Sequence, residues 1–483
     1  MSKSEKVVGN LIWRLMEQFG AQGVTLLVSI VLARLLDPTV YGTVALVTVF
    51  TQILHVFIDS GLGSALIQKK DADDLDFSSV FYFNLAMCLV LYLLLFICAP
   101  LIAAFYKMPE LTAVVRALGL TLVISGVKNI QQAYVSRHML FKKFFFSTLG
   151  GTIGAAVVGI TMAAMGFGVW ALVGQYLFNT LVDTVVLWFT VKWRPKRAFS
   201  WQRLKQLLGF GSKLLGVSLI NTVYNNIRQL IIGKMYSTDD LAFFNKGKQF
   251  PSLLDSNINT SIDSILLPTM SKEQDDIQAV KNITRRSIKT STFIMAPLLV
   301  GLAVCGDSLI SLILTEKWLP CVPYMRVFCI TYLFTPMFTA NYNAYKALGR
   351  SDIYLKVSMS SKPIGLLILL GTMPFGVMAI AYGMIIANFC SQFVCTFPNQ
   401  KLLKYGYLEQ IRDILPQLLL SAAMGLIVYS VQFLKLNPLV TLAIQVPLGV
   451  VVYVLGGKLF KLEIYQYVLN MAKDFINKKK RKK

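Results

Sequence analysis

Apolar residues run along this chain in long blocks, separated by short polar or Pro/Gly stretches, with no sustained two-residue alternation. A helix that crosses a bilayer needs about 20 mostly apolar residues, whereas a barrel strand needs about ten alternating ones. The blocks fit the first pattern and predict about fourteen spans: 10–36, 42–67, 78–105, 111–135, 146–165, 168–191, 207–233, 241–267, 289–315, 322–345, 355–372, 375–396, 414–434 and 439–457. The longest weakly apolar stretches, 192–206, 268–290 and 461–483, are loop-sized, so no soluble domain is expected. The first block contains Arg14 and Glu17 and shows no small-residue cleavage site, so it reads as a retained span and not a signal peptide.

Charge fixes the expected orientation. The 483 residues carry a formal charge of +23, which invites a nucleic-acid reading. A hydrophobic fraction of 55% and a mean hydropathy of +0.61 argue against it, because such a chain could not cover its own surface in water. With the N-terminus inside, about 32 Lys and Arg fall in cytoplasmic segments and only about four (Lys107, Lys234, Lys317 and Lys435) in outer loops. Both termini are therefore expected in the cytoplasm. The tail ends in Lys478-Lys479-Lys480-Arg481-Lys482-Lys483 after an amphipathic stretch with Tyr465, Val468, Leu469, Ala472 and Phe475 on one face. It is expected to rest on anionic lipid of the inner leaflet, with no nucleic-acid partner.

The chain also repeats with an offset near 200 residues. Ile30-Val31-Leu32-Ala33-Arg34-Leu35 aligns with Leu230-Ile231-Ile232-Gly233-Lys234-Met235, and Arg116 with Arg326. Phe167-Gly168-Val169-Trp170-Ala171-Leu172 matches Phe375-Gly376-Val377-Met378-Ala379-Ile380. Spans 1–6 and 7–12 thus read as two copies of a six-helix unit inserted in the same direction, a pattern found in transporters with a midplane site. The expected organisation is an N-lobe over 1–195, a C-lobe over 196–400, spans 13 and 14 over 401–460 and a basic tail over 461–483. The fold class is all-α and polytopic, with two six-helix lobes around a central lumen plus two C-terminal helices.

Polar residues within spans are costly, so their placement carries information. Thr48, Gln52, His55 and Asp59 recur on one helical face of span 2. Asn245, Lys248, Ser252, Asp255, Asn259 and Asp263 form a longer stripe in span 8, and under the offset four positions of the two stripes coincide. Span 1 presents Arg14, Gln18, Gln22, Thr25 and Ser29, with Glu17 beside them; span 7 presents Asn221, Asn225 and Arg228. The substrate-facing candidates are Arg14, Gln18, Gln52, His55, Asn221, Asn225, Arg228, Lys248, Ser252 and Asn259. Arg and Lys in a low-dielectric cavity suit a phosphate, through charge-assisted hydrogen bonds. Glu17, Asp59, Asp255 and Asp263 are candidates for binding a coupling H+ or Na+, and Asp183 is a further intramembrane carboxylate; the alternative for each is a salt bridge or helix–helix tie. Arg116 and Arg326 read as structural.

Enzyme signatures are missing from the sequence: there is no GxxxxGK[ST] and no nucleophile or paired-carboxylate motif. The seven cysteines form no CxxC pair, and only His55 and His138 exist, so neither a metal site nor a catalytic residue is expected. Asp71-Ala72-Asp73-Asp74 and Asp275-Asp276 read as solvated loop charge.

Ala33-Arg34-Leu35-Leu36-Asp37-Pro38 followed by Tyr41-Gly42 resembles the first hairpin of bacterial polysaccharide flippases. So do Asp59-Ser60-Gly61-Leu62-Gly63 with Ala65-Leu66-Ile67-Gln68, the turn Gly166 to Leu172, and Glu316-Lys317-Trp318. The resemblance is to the Wzx-type, teichuronic or colanic acid exporter branch of the multidrug/oligosaccharidyl-lipid/polysaccharide (MOP) exporter superfamily. It implies a V of two lobes in the bacterial inner membrane. It further implies translocation of an undecaprenyl-diphosphate-linked oligosaccharide by alternating access, in polysaccharide or lipopolysaccharide biosynthesis and alongside other polysaccharide-assembly proteins. The alternatives are a drug/cation antiporter of the same superfamily, which would want an acidic cavity, and a membrane polymerase, which would want a large outer loop.

Overall fold

The computed structural model describes residues 20–59, 61–462 and 464–467, and among these there is helix and turn but no strand. In chain order the helices are α1 (described over Gly20–Leu35), α2 (Pro38–Asp59), α3 (Leu62–Gln68), α4 (Asp74–Tyr106), α5 (Leu111–Arg137), α6 (Phe141–Ala164), α7 (Val169–Thr190) and α8 (Trp201–Met235). They continue with α9 (Thr238–Lys272), α10 (Ile277–Val304), α11 (Gly306–Leu314), α12 (Val322–Tyr332), α13 (Thr335–Ala347), α14 (Ser351–Thr372), α15 (Val377–Leu402), α16 (Tyr407–Ser430) and α17 (Pro438–Leu459). Eleven stretches among the described residues are long and apolar enough to cross a membrane; α8, bent by 48° between Gly209 and Gly211, makes a twelfth if taken as one span. This is a multi-pass membrane protein. Of the other two expected spans, α1 begins before the described residues, and α9 has the length but is too polar to count with the rest.

Some boundaries differ from the sequence expectation for local reasons. Span 2 breaks after Asp59 into α2 and the short α3. Expected span 9, 289–315, starts much earlier, at Ile277, because Asp276 caps α10 by accepting the backbone N–H groups of Gln278 and Ala279 at 2.9 and 3.0 Å. Most of the expected loop 268–290 is therefore helix. Span 10 divides into α12 and α13, with Pro336 in the first turn of α13, where its missing N–H is harmless.

Two compact units result, Met1–Ala242 and Phe243–Lys483. In the first, α6 packs along α7, α4 along α5, and α5 against α2 and α7. The end of this unit at the start of α4 is tied by charge. The buried Asp76 accepts from Lys69 at 2.7 Å, Arg203 binds Asp73 at 2.5 Å, and Lys196 binds Asp74 at 2.7 Å. The cluster expected to be solvated charge thus caps α4 and staples its neighbours. Arg137 donates to the carbonyls of Leu66, Lys69 and Lys70, over an aromatic cluster of Phe77, Phe81, Tyr134 and Trp193.

The second unit repeats this packing. Helix α14 runs along α15, α10 packs on α12 and α13, and both of those pack on α15. The repeat-matched arginines do the same job. Arg116 donates to the carbonyl of Phe96 at 3.3 Å and lies 4.1 Å over its ring, while Arg326 donates to the carbonyl of Ala303 at 3.2 Å and pairs with Asp307 at 2.5 Å. Gly168 and Gly376, matched in the repeat, both have positive φ (55° and 106°) and immediately precede α7 and α15. Outside the repeat, α16 packs on α10 and α17, and the Tyr453 hydroxyl donates to the carbonyl of Phe293 at 2.8 Å.

By packing, the boundary between units lies after α8, although α8 opens the second sequence copy. The reason is close approach: α8 packs on α2, α3 and α4, and a Cβ built on Gly61 would stand 2.7 Å from the carbonyl oxygen of Gly211.

Candidate functional site

Charged side chains within apolar helices divide into those that are neutralised and those that are not. On α5, Lys128 forms a 2.8 Å ion pair with Asp183 of α7, whose carboxylate also accepts from Ser147 of α6. Asp183 is thus a helix tie. On α10, Arg285 and Lys289 lie 2.6 and 3.5 Å from Asp413 of α16, and Lys281 lies 3.3 Å from Glu409. Such pairing is what a low dielectric demands of a structural charge.

Arg228 differs. It is 9% exposed on α8, its guanidinium sits 5.2 Å over the ring of Tyr224, and it makes no ion pair with a carboxylate among the described residues. One turn back, Asn225 is exposed and Asn221 half-buried, so the stripe extends along the helix. Its flank is tied differently: the Asn226 amide donates to the carbonyl of Thr222 at 2.9 Å, and the Gln229 amide to Asn226 Oδ1 at 3.2 Å. On α2, also in the first unit, Gln52 is exposed, and Nε2 of the half-buried His55 lies 3.5 Å from the Thr121 hydroxyl. Thr48 bonds its own helix through the Ala45 carbonyl at 2.9 Å.

The α9 stripe meets α13 within the second unit. The Asn259 amide donates to Asp255 at 2.6 Å, Thr339 donates to Asn259 at 3.3 Å, and Asn343 donates to Asp263 at 2.6 Å. Asp255, Asn259 and Asp263 are brought together in this ladder. Ser252 instead bonds the Gln249 carbonyl of its own helix, and Lys248 is half-buried. Lys246, buried two residues before it, lies 5.5 Å over the ring of Trp318. Arg14, Glu17 and Gln18 lie outside the described residues, and Asp59 enters only as the last residue of α2.

The stripes missed two groups. Lys362 on α14 has a buried Nζ with no hydrogen-bond partner among the described residues; with Ser358 one turn before it and only apolar residues and glycine one and two turns after it, it gives no stripe along the span. Asn341, Asn399 and Gln410 form a buried amide knot joining α13, α15 and α16, with bonds of 2.6 to 3.0 Å. Its members come from distant segments, so helical periodicity cannot group them.

Residues 31–323, more than half of the chain, match the family of polysaccharide biosynthesis proteins. The chain belongs to this family. Among its members and relatives, it is 26% identical over 423 residues to the teichuronic acid biosynthesis protein TuaB of Bacillus subtilis, covering 84% of this chain and 85% of TuaB. It is 23% identical over 443 residues to the lipopolysaccharide biosynthesis protein WzxC of Escherichia coli, covering 88% and 89%. Its fold matches that of the lipid II flippase MurJ in an inward closed conformation, with a TM-score of 0.76 at 14% identity, over 95% of this chain and all of MurJ. This member of the polysaccharide biosynthesis family thus shares the fold of MurJ.

Proposed function

We propose that the protein is a flippase. It moves an undecaprenyl-diphosphate-linked oligosaccharide from the inner to the outer leaflet of the bacterial cytoplasmic membrane by alternating access, with no covalent chemistry of its own. The observation that carries this reading is Arg228: a cation held inside an apolar helix layer, stacked on Tyr224 and lacking a carboxylate among the described residues. Lys128 and Arg326, elsewhere in the described fold, have acidic partners. A cation without one favours a transient anion, and a diphosphate supplies the strongest hydrogen-bond acceptors for a guanidinium. Asn221, Asn225, Gln52 and His55 of the first unit supply polar groups for sugar hydroxyls, and in the second unit Lys248, Ser252 and Asn259 supply groups of the same kind. Asp255 on α9 is the proposed site for a coupling H+ or Na+; Asp263, about two turns further along the helix, is held by Asn343. Membership of the polysaccharide biosynthesis family and the MurJ-like fold support the substrate class.

The test is export in a strain lacking the chromosomal copy. Arg228→Ala should lower surface polysaccharide by about tenfold or more, the cost of one lost charge-assisted contact, at wild-type protein level and with accumulation of the lipid-linked precursor. Arg228→Lys should retain more export than Ala. Full export by Arg228→Ala would sink the proposal.

A further inference from the structure

A cavity of about 770 Å³ opens within the second unit between α9, α10 and the segment 464–467. Its two sides differ in chemistry. Ile262, Ile265 and Leu266 of α9, with Ile464, make an apolar side, and Ile265 is 69% exposed. The α10 side carries Arg285, Arg286 and Lys289, at positions i, i+1 and i+4 of one helix, together with the hydroxyl of Thr290.

Arg285 and Lys289 share Asp413; Glu409, 3.8 Å from Arg285, also serves Lys281. Arg286 is exposed, lies 4.7 Å over the ring of Tyr467, and makes no ion pair among the described residues. Two polar atoms here are buried without a hydrogen-bond partner among the described residues, Nε of Arg285 and Oγ1 of Thr290.

We propose that this cavity binds the phosphate of an anionic phospholipid drawn from the inner leaflet. Arg286, Arg285 and Lys289 hold the phosphate, and the acyl chains lie along the α9 isoleucines. Three observations favour a lipid over a free anion. The apolar side offers nothing to inorganic phosphate. The Ile277 end of α10 belongs to the basic segment Lys272 to Arg286, which the positive-inside bias makes cytoplasmic. The sequence that follows Tyr467 ends in Lys478-Lys479-Lys480-Arg481-Lys482-Lys483, a charge cluster that attracts anionic lipid.

Purified full-length protein in detergent, titrated with dioleoylphosphatidylglycerol, dioleoylphosphatidylcholine or inorganic phosphate, tests this by native mass spectrometry and thermal shift. Phosphatidylglycerol should be retained and should raise the melting temperature, and the other two should not. Arg286→Glu should weaken phosphatidylglycerol binding by roughly tenfold or more, the loss of one charge-assisted contact. Arg286→Gln, which keeps the length and most of the packing, should weaken it in the same direction, so a folding defect in one variant leaves the question answerable. Lys205→Ala, which removes an exposed cation elsewhere, should bind as wild type. Unchanged binding by both Arg286 variants, equal retention of phosphatidylcholine, or equal protection by inorganic phosphate would overturn the proposal.

Discussion

At the level of single residues, Asp73 has two roles at the start of α4. Asp73 caps α4, accepting from the backbone N–H of Leu75 and Asp76 at 3.1 and 3.0 Å, and pairs with Arg203 at 2.5 Å. The Arg203 guanidinium, helped by the cap, holds the Asp73 carboxyl at about 2, below its ordinary value near 3.9. Because the folded value is the depressed one, the ionised group favours folding above about pH 4, and that contribution is lost as pH falls towards about 2. Both side chains are largely exposed, so the effect is small. Arg203→Ala should lower the melting temperature of the purified protein on the order of 1 °C at pH 7, a difference that should shrink steadily below pH 4. An equal difference at pH 7 and pH 2.5 would rule out this linkage. The intramembrane charges teach the complementary lesson. Asp183 was visible in sequence as a candidate ion site, but its partners Lys128 and Ser147 come from two other helices, and only their convergence makes it a structural tie.

At the level of elements, helix positions were legible because the membrane needs long apolar runs, and the ends were less so. Ends are set by caps and turns: Asp276 starts α10 at Ile277, within a stretch whose polarity reads as loop. The matched turns before α7 and α15 are a place where sequence and backbone agree. Gly376 adopts φ 106° and ψ 164°, a region open essentially only to glycine. Gly376→Ala should therefore lower stability on the order of 1–3 kcal/mol, seen as a reduced melting temperature in detergent. Gly371, inside α14 and facing open space, is the internal comparison: Gly371→Ala should be neutral or stabilising by up to about 1 kcal/mol. Equal losses at the two sites would show that the φ at Gly376 is not what matters.

For the whole molecule, the basic residues point to an orientation that is open to direct measurement. A green fluorescent protein fused after Lys483 should fluoresce, and an alkaline phosphatase fusion at the same point should be inactive, because the tail is expected in the cytoplasm. The opposite result would invert the topology and move the lipid cavity of α9 and α10 to the outer leaflet. The pattern of apolar runs and charge was enough to establish an all-helical membrane protein with an internal repeat, because hydrocarbon thickness and the cost of backbone polar groups in lipid act on each segment separately. The same local logic found the stripes on α2, α8 and α9. It could not say which polar residues are used up within the protein. Asp263 bonds Asn343, and Asn341 bonds Gln410, across separations in sequence that no periodicity spans. The cations of α10 that face a cavity read as loop charge until the helix was seen to begin at Ile277. Pairing, burial and cavities depend on which helices meet, and for those the packed chain was required.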